Sequence, residues 1–322
     1  MFTFAGKLHI NNFSCIMANV IKIKKGLDIN LKGKASDVLL NGGKSESYAI
    51  VPDYYNGILP KVVAKVGEKV KAGSVLMIDK NRPEIKFVSP VSGEVTAVNR
   101  GEKRKVLSIV VKPDAQIEYE EFGKKNVASL QGAEVKEVLL NAGMWPFIKQ
   151  RPYDIVAAPL DTPRDIFVSA FYSAPLAPNF DFIVKGQEAD FQTGLNALAK
   201  LTNGKVYVGV RSGSVVSGMK GVEIVEVEGP HPAANVGVQI NHIKPVNKGE
   251  VVWTVNPADV IVIGRLFNKG VADFSRMVAI TGSETTERGY VKTISGCTIK
   301  SLVNGKVLGQ EHIRIISGNV LT

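Results

Sequence analysis

The sequence predicts a chain of three domains, β-rich, α/β and again β-rich, from three differences in pattern. Short Val and Ile runs between Gly and Pro turns fill residues 20–113, which favours a compact barrel or sandwich. From about 120 to 270, helical periodicity alternates with short apolar runs, as in a Rossmann-like layer of strands joined by right-handed crossovers. From 271 onward, one helix among a few short strands suits a β-grasp fold.

The first domain, assigned to residues 17–119, contains two similar half-motifs. Residues 65–73 and 98–106 each place a Gly-Glu turn between β-rich flanks. With Ser-Pro-Val-Ser-Gly-Glu-Val at 89–95, this quasi-repeat resembles the barrel-sandwich of biotinyl and lipoyl domains.

Biotinyl and lipoyl domains carry a modifiable lysine eight residues before the proline of this motif. That position is Arg82 here, and its always-protonated guanidinium cannot form the amide with biotin or lipoate. Pro83 stiffens the turn. We therefore favour a scaffold over a carrier, although Lys80, two residues away, keeps the carrier alternative open.

The α/β domain, assigned to residues 120–270, is predicted from alternating periodicities. Residues 127–142 and 189–201 repeat apolar side chains at helical spacing. The apolar run at 260–263 fits a core strand or a short helix. Further short buried strands are predicted at 182–184, 206–210 and 222–227.

The third domain, assigned to residues 271–322, is predicted to have a β-grasp, SLBB-like fold. Strands are expected at 276–280 and 312–316, with a turn into another strand at 287–291. One short helix is expected at 297–303, where Asn304-Gly305 would end it.

Residues 1–16 differ in character from the rest of the chain. They lack the apolar core of a signal peptide, and Met17 opens a clean alternating strand. We expect them to be a disordered extension or a misassigned start.

Composition restricts the classes of function. The 322 residues carry a net charge of +10, which indicates a solvated basic surface or contact with an anionic membrane face or an acidic partner. No apolar run is long enough for a membrane-spanning helix, and no nucleic-acid motif is present. Cys15 and Cys297 are too few for an iron–sulfur cluster or a structural zinc, and the four histidines lack ligand spacing, so no metal is expected.

Nucleotide-binding motifs are missing as well. The sequence has no G-x-G-x-x-G and no P-loop. Gly-Val-Arg-Ser-Gly-Ser at 209–214 follows a predicted strand but lacks the glycine spacing that brings backbone to a pyrophosphate. A surface turn is the better interpretation.

A series of longer motifs runs along the chain in a fixed order. They are Asn-Arg-Pro-Glu-Ile-Lys-Phe-Val-Ser-Pro at 81–90, Asn-Ala-Gly-Met-Trp-Pro-Phe at 141–147, Gly-Pro-His-Pro-Ala at 229–233, Asp-Val-Ile-Val-Ile-Gly-Arg-Leu-Phe at 259–267 and Arg-Ile-Ile-Ser-Gly-Asn-Val-Leu at 314–321. Together with the domain order they resemble the A-subunit family of sodium-translocating NADH:quinone reductases. Members of that family continue into a further C-terminal region, which we expect to be absent here.

The domain order also resembles the flavoprotein subunit of respiratory complex I and the C subunit of the Rnf complex. Those relatives bind FMN and NADH through a glycine-rich loop after the first helix of the Rossmann-like domain, because only bare backbone can wrap the ligand. The corresponding stretch here keeps Gly143 alone and continues with Trp145, Pro146 and Phe147. The resemblance therefore implies a degenerate cofactor pocket, and we do not expect it to bind FMN.

Two hypotheses describe this segment. In the first, Trp145 and Phe147 fill the old pocket and pack near a helix predicted to begin at His231-Pro232, whose start would face the ligand in a flavin-binding relative. In the second, they join Lys149 and Arg151 in contacting a quinone, which needs hydrogen-bond donors beside an aromatic wall. We favour the filled pocket, and the exposure of Trp145 separates the two.

The resemblance implies a peripheral subunit on the cytoplasmic side of the bacterial inner membrane. Its partners would be the other, chiefly membrane-embedded, subunits of a complex that transfers electrons from NADH to ubiquinone and exports sodium. We expect no cofactor of its own and no catalysis by the isolated chain. The alternatives are an FMN- and NADH-binding electron-input subunit of an Rnf-like complex and, more remotely, a biotin or lipoyl carrier.

Overall fold

The computed structural model describes residues 20–309 and 312–321. Its strands are β1 (Val20–Lys22), β2 (Tyr48–Ile50), β3 (Pro60–Val62), β4 (Lys69–Val70), β5 (Val75–Asp79), β6 (Lys86–Val88), β7 (Gly93–Arg100), β8 (Val106–Pro113), β9 (Ile148–Arg151), β10 (Ile155–Val156), β11 (Ile166–Ser169), β12 (Val206–Val210), β13 (Glu223–Glu228), β14 (Val252–Val255), β15 (Ser275–Ile280) and β16 (Gly289–Ile294). Its α-helices are α1 (Gly132–Asn141), α2 (Phe180–Val184), α3 (Glu188–Ala199), α4 (Val236–Ile243), α5 (Pro257–Lys269) and α6 (Ile299–Val303).

The first domain consists of two small antiparallel sheets, one in the order β2-β8-β7-β4 and the other β3-β5-β6. The first predicted half-motif contains β4, and the second spans the turn between β7 and β8. Leu76, Phe87, Val95 and Ile109 form its core and are at most 2% exposed. Successive side chains along a strand point to opposite faces, so alternate positions bring these residues to one interior.

The turn between β5 and β6 is fastened to the neighbouring domain. Arg82 Nε donates to Asp79 Oδ2 at 2.8 Å, and its two terminal nitrogens donate to the carbonyl oxygens of Val156 at 3.2 Å and Gly57 at 2.9 Å. Val156 lies in β10 of the α/β domain. A carrier domain needs this turn free to swing, so its attachment supports the scaffold interpretation.

The α/β domain is built on a seven-stranded sheet in the order β1-β13-β12-β11-β14-β9-β10. The first five strands in that order are parallel, β9 runs antiparallel to β14, and β10 runs antiparallel to β9 and so in the direction of the first five. Helices α3 and α5 pack against each other through two glycines. A Cβ on Gly264 would lie 1.7 Å from the Asp190 carbonyl oxygen, and one on Gly194 would lie 2.1 Å from that of Val260. The two helix backbones therefore touch, which requires glycine at both positions.

The structure contradicts one secondary-structure prediction in this domain and decides between the two alternatives of another. The strand predicted at 182–184 is wrong, because these residues belong to α2, which Asn179 caps through the amide of Asp181. The strand of the sheet that precedes α2 is β11, and the sequence analysis predicts no strand at its position. The run at 260–263 lies inside α5, where Asn256 caps the first turn.

The chain joins the α/β sheet before it builds the first domain. β1 pairs in parallel with β13, with Val20 opposite Glu226 and Lys22 opposite Glu228. The following segment then crosses to the third domain, where Leu40 N donates to the carbonyl of Tyr290. Residues 20–22 of the alternating strand predicted after Met17 therefore form a strand at an edge of the central sheet, and residues 17–19 lie outside the described range.

The third domain has the hairpin β15–β16 and the short helix α6, as predicted. Thr298 caps α6, and Ser301 N donates to its hydroxyl. The strand predicted at 312–316 is wrong, because these residues have no regular secondary structure. The edge of β16 is instead paired with residues 38–40.

Within residues 20–309 and 312–321, no helix is both long and apolar enough to cross a bilayer. The predicted extension at 1–16 lies outside the described residues.

Candidate functional site at the junction of the three domains

Trp145 lies in the core of the α/β domain with no exposed surface. It opens a short 3-10 turn in which Pro146 occupies a first-turn position that needs no amide. Its Nε1 donates to the Ala157 carbonyl at 2.8 Å, and its ring meets that of Trp253 edge to face at 5.4 Å. The expected burial of Trp145 is confirmed, and its indole is not accessible to a ligand.

Phe147, two residues later, is only half-buried, so the expectation that it is largely buried is wrong in part. Its ring packs edge to face on Phe274 at 6.1 Å, and the Arg276 guanidinium lies 5.4 Å from its centre. Phe274 directly precedes β15, and Arg276 lies in β15. Phe147 therefore lines a junction between domains, whereas Trp145 fills a core.

Lys149 and Arg151 lie on β9 and face away from this junction. Lys149 is directly opposite Thr254, and Arg151 is opposite Val252. Directly opposed residues share a face of the sheet, and Val252 packs under α4. Arg151 also pairs with Asp154 at 3.4 Å. These two cations are thus on the opposite face from Trp253 and do not join Phe147 in one pocket.

His231 belongs to a third location. Its Nδ1 lies 3.0 Å from Ser173 Oγ, and its backbone amide donates to Asp28 Oδ1 at 2.8 Å. The helix expected to begin at His231-Pro232 begins at Val236 instead, after Asn235. The hydrogen bonds described for His231 tie it to the N-terminal segment and to the loop after β11. None of these hydrogen bonds brings His231 to Trp145, which the sequence predicted to pack near this helix start.

A cleft of about 180 Å³ opens where the three domains meet. Its walls are mainly aromatic and aliphatic, and the polar side chains among them are one guanidinium, one serine hydroxyl and the hydroxyls of two tyrosines. The first domain supplies Tyr55 and Phe87, the α/β domain Gly143 and Phe147, and the third domain Phe274, Arg276 and Ser295. Of the side chains predicted from the sequence to contact a ligand, Phe147 alone reaches this cleft.

Arg276 is the polar anchor of the cleft. Its Nη2 contacts Asp259 Oδ1 at 2.5 Å, and its Nε donates to Ser295 Oγ. Burial alone would lower the pKa of Arg276, but the charge and hydrogen bond of Asp259 outweigh it, so the pKa is raised. Among the described residues Nη1 has no hydrogen-bond partner, and it is not sealed from solvent. One donor therefore remains for a ligand.

Two tyrosines complete the surroundings of the Arg276–Asp259 pair. Burial raises the pKa of Tyr55 to about 12, and the ring of Tyr55 packs edge to face on Phe87 at 4.7 Å. Burial also raises the pKa of Tyr172, whose hydroxyl lies 3.2 Å from Asn256 Oδ1. Both hydroxyls stay protonated at neutral pH, so neither adds a charge near the Arg276–Asp259 pair.

Gly143, the remaining glycine of the expected cofactor loop, has a packing role. Its φ is +67°, and a Cβ there would lie 2.6 Å from a methyl carbon of Val88 in β6. The glycine is thus needed where the turn after α1 presses on the first domain. Nothing in this geometry resembles an open backbone cradle for phosphate.

The arrangement can hold a flat ring by its faces and one acceptor oxygen by a charged donor. The sequence-based hypothesis missed Tyr55, Asp259 and Arg276. Asp259 and Arg276 fall on either side of the predicted domain boundary, and no local pattern links them. An arginine inside an apolar strand was the one available signal. Among the described residues, no group of acidic, histidine or cysteine side chains could hold a metal ion.

Replacing Trp145 by Ala is expected to lower the free energy of unfolding by about 3–5 kcal/mol, because a cavity replaces a fully buried indole. Replacing half-buried Phe147 by Ala should cost clearly less. Urea unfolding monitored by circular dichroism measures both. Equal losses would contradict the assignment of the two rings to core and cleft.

Replacing Tyr55 by Phe should make the protein more resistant to alkali. Because the pKa of Tyr55 in the folded state is about 12, above the ordinary 10.0, its contribution is complete below pH 10 and is lost as pH rises towards 12. The wild type should lose up to about 2 kcal/mol more than the variant over that window. Exposed Tyr54, changed to Phe, is the control, and the same alkaline loss in both variants would refute the prediction.

Comparison with known proteins gives matches along nearly the whole chain. Family models match three consecutive regions: the NqrA N-terminal barrel-sandwich hybrid domain at 21–114, the NqrA second alpha/beta domain at 130–272 and the NQRA C-terminal domain, of SLBB type, at 277–322. The barrel-sandwich, α/β and SLBB-like domains expected from the sequence are thereby confirmed in that order. The Rossmann-like detail of the second stays a prediction.

Curated relatives agree with the family models. The A subunit of the Na(+)-translocating NADH-quinone reductase of Hahella chejuensis is 38% identical over 94% of this chain and 68% of its own length. The proteins of the same name from Neisseria meningitidis and Photorhabdus laumondii are 36% and 37% identical over the same shares. A solved NAD+-reducing [NiFe]-hydrogenase, with a TM-score of 0.34 and 10% identity over 60% of this chain and 45% of its own, is too distant to support an argument. The chain belongs to the A-subunit family of Na(+)-translocating NADH-quinone reductases.

Proposed function

We propose that this chain is the A subunit of a sodium-translocating NADH:quinone reductase. In this role it lies peripherally on the cytoplasmic face of the bacterial inner membrane and contacts the other subunits of the complex. The observation that carries the proposal is the 38% identity over 94% of the chain to a protein of that name. The three domain matches in one order add independent support.

The proposed contribution to catalysis is structural. The complex would pass electrons from NADH to ubiquinone and export sodium, while this chain carries no cofactor and is not catalytic alone. Two features support this division of roles. The turn after α1 is closed by the packing of Gly143 on Val88, and the indole of Trp145 fills the space behind it.

A quinone contact is the ligand role we assign to the junction cleft. A quinone head has two flat apolar faces and carbonyl oxygens that accept hydrogen bonds. Phe147 and Tyr55 offer aromatic surface, and Nη1 of Arg276 offers a charged donor. We therefore propose the contact at Phe147, since Trp145, Lys149, Arg151 and His231 do not line this cleft.

The rival function is an FMN- and NADH-binding electron-input subunit of the Rnf kind. It needs a glycine-rich backbone cradle, and the only glycine of that turn is pressed against Val88. We therefore expect the purified chain to be colourless and to bind FMN with a dissociation constant no lower than about 1 mM. Calorimetric titration with FMN measures this. A stoichiometric yellow flavin, or micromolar binding, would favour the rival.

Membership of the complex is tested by co-expressing the tagged chain with the other reductase subunits of the same organism. We expect the subunits to co-purify and the assembly to reduce ubiquinone with NADH in a sodium-dependent manner. A chain that purifies alone, with an active complex left behind, would refute the proposed membership.

The quinone contact has its own readout in the same assembly. Replacing Phe147 by Ala should raise the KM for a short-chain ubiquinone severalfold, because a face of the ring contact is lost, while the amount of assembled complex stays the same. Exposed Tyr153, changed to Ala, is the matched control outside the cleft. An unchanged KM in the Phe147 variant would remove the cleft as the contact.

A further inference from the structure

An exposed strap runs from residue 24 to residue 34, between the α/β domain and the third domain. Its sequence is Lys-Lys-Gly-Leu-Asp-Ile-Asn-Leu-Lys-Gly-Lys. Leu27, Ile29 and Leu31 are 71%, 44% and 43% exposed. These three aliphatic side chains lie within five residues and are not covered by the rest of the described chain. They form an exposed hydrophobic patch.

The strap is held at both ends, so its exposure does not come from a loose chain. At one end, Leu27 N donates to the His231 carbonyl at 2.9 Å, and Asp28 accepts the amide of His231. At the other end, the Gly282 amide donates to the Gly33 carbonyl at 2.8 Å. A Cβ on Gly33 would lie 2.2 Å from the Gly282 carbonyl carbon, so the two backbones are in contact.

Four lysines frame the aliphatic residues. Lys24, Lys25, Lys32 and Lys34 are all exposed, and none makes an ion pair within the described residues. Lys22, just before the strap, differs because it pairs with Glu228 at 3.5 Å. The strap contains one acidic residue, Asp28, which is engaged with the His231 amide. The local charge is therefore strongly positive beside an apolar surface.

We propose that this strap is a docking surface for the anionic phospholipid headgroups of a membrane. Lysine ammonium groups would lie among the phosphates, while Leu27, Ile29 and Leu31 enter the boundary between headgroups and acyl chains. Long lysine stems allow the charge to stay in water while the backbone approaches the surface. The inference goes beyond the proposed function, because the single chain should bind without any other subunit.

The composition of the strap favours a lipid surface over a protein partner. Protein interfaces are enriched in aromatic residues and arginine and depleted of lysine. The strap has the reverse composition, with four lysines, no arginine and no aromatic residue. Diffuse attraction between several ammonium groups and many phosphates needs no fixed partner geometry. It therefore suits lysine side chains that make no ion pair within the described residues.

Co-sedimentation of the purified chain with vesicles tests the proposal. One set contains about one third phosphatidylglycerol in phosphatidylcholine, and the other is phosphatidylcholine alone. We expect binding to the anionic vesicles only, weakening with added salt. Changing Lys24, Lys25, Lys32 and Lys34 together to Gln should reduce partitioning at least about tenfold. Changing Leu27, Ile29 and Leu31 to Ser should reduce it as well and leave residual binding more salt-sensitive.

A charge-matched variant separates the strap from the net charge of the molecule. Lys61, Lys124, Lys185 and Lys248 are exposed and unpaired among the described residues, and changing them to Gln removes the same charge from other surfaces. We expect this control to retain most of the binding. Equal losses in the two lysine variants would overturn the strap as the site. Strap variants that bind vesicles normally but fail to co-purify with the other subunits would show a protein interface instead and would equally overturn the proposal.

Discussion

The Arg276–Asp259 ion pair is the contact on which the junction of the three domains depends. Asp259 lies in the first turn of α5, where the helix dipole favours a negative charge. Arg276 comes from β15, and its guanidinium lies against the ring of Phe147. A half-buried pair of this kind adds little net stability, since both charges lose water, but removing either partner leaves an uncompensated charge. The pair joins the first turn of α5 to the first strand of the third domain.

Other buried polar contacts reinforce the same junction. Arg265 on α5, 5% exposed, donates to the carbonyls of Asp273 and Ser275 at the entry to β15. On the other side, Arg82 links the first domain to β10. Both arginines donate to backbone carbonyl oxygens of the segment that they join. One hydrophobic cluster includes buried residues of all three domains, and these directional bonds add to it where the domains meet.

Local pattern was enough to predict much of the fold. Helical spacing located α3, short apolar runs located β12 and β13, and Asn304-Gly305 marked the end of α6. Prediction failed where a tertiary contact decides. Residues 182–184 are apolar enough for a strand, but the cap at Asn179 makes them helical. β1 pairs with β13 across more than 200 residues of sequence, and no local signal reports such a pairing.

Prediction of the candidate site from the sequence also failed where tertiary contacts decide which residues come together. Trp145 and Phe147 are two residues apart and were predicted to share one role, yet the 3-10 turn directs one indole into the core and one phenyl ring towards another domain. Lys149 and Arg151 follow on a strand whose pleat turns both to the far face of the sheet. Residues that are close in the sequence therefore point to different parts of the structure, because the chain changes from a turn to a strand within this segment. The residues that do converge on Phe147 come from three domains, and only the packing of those domains brings them together.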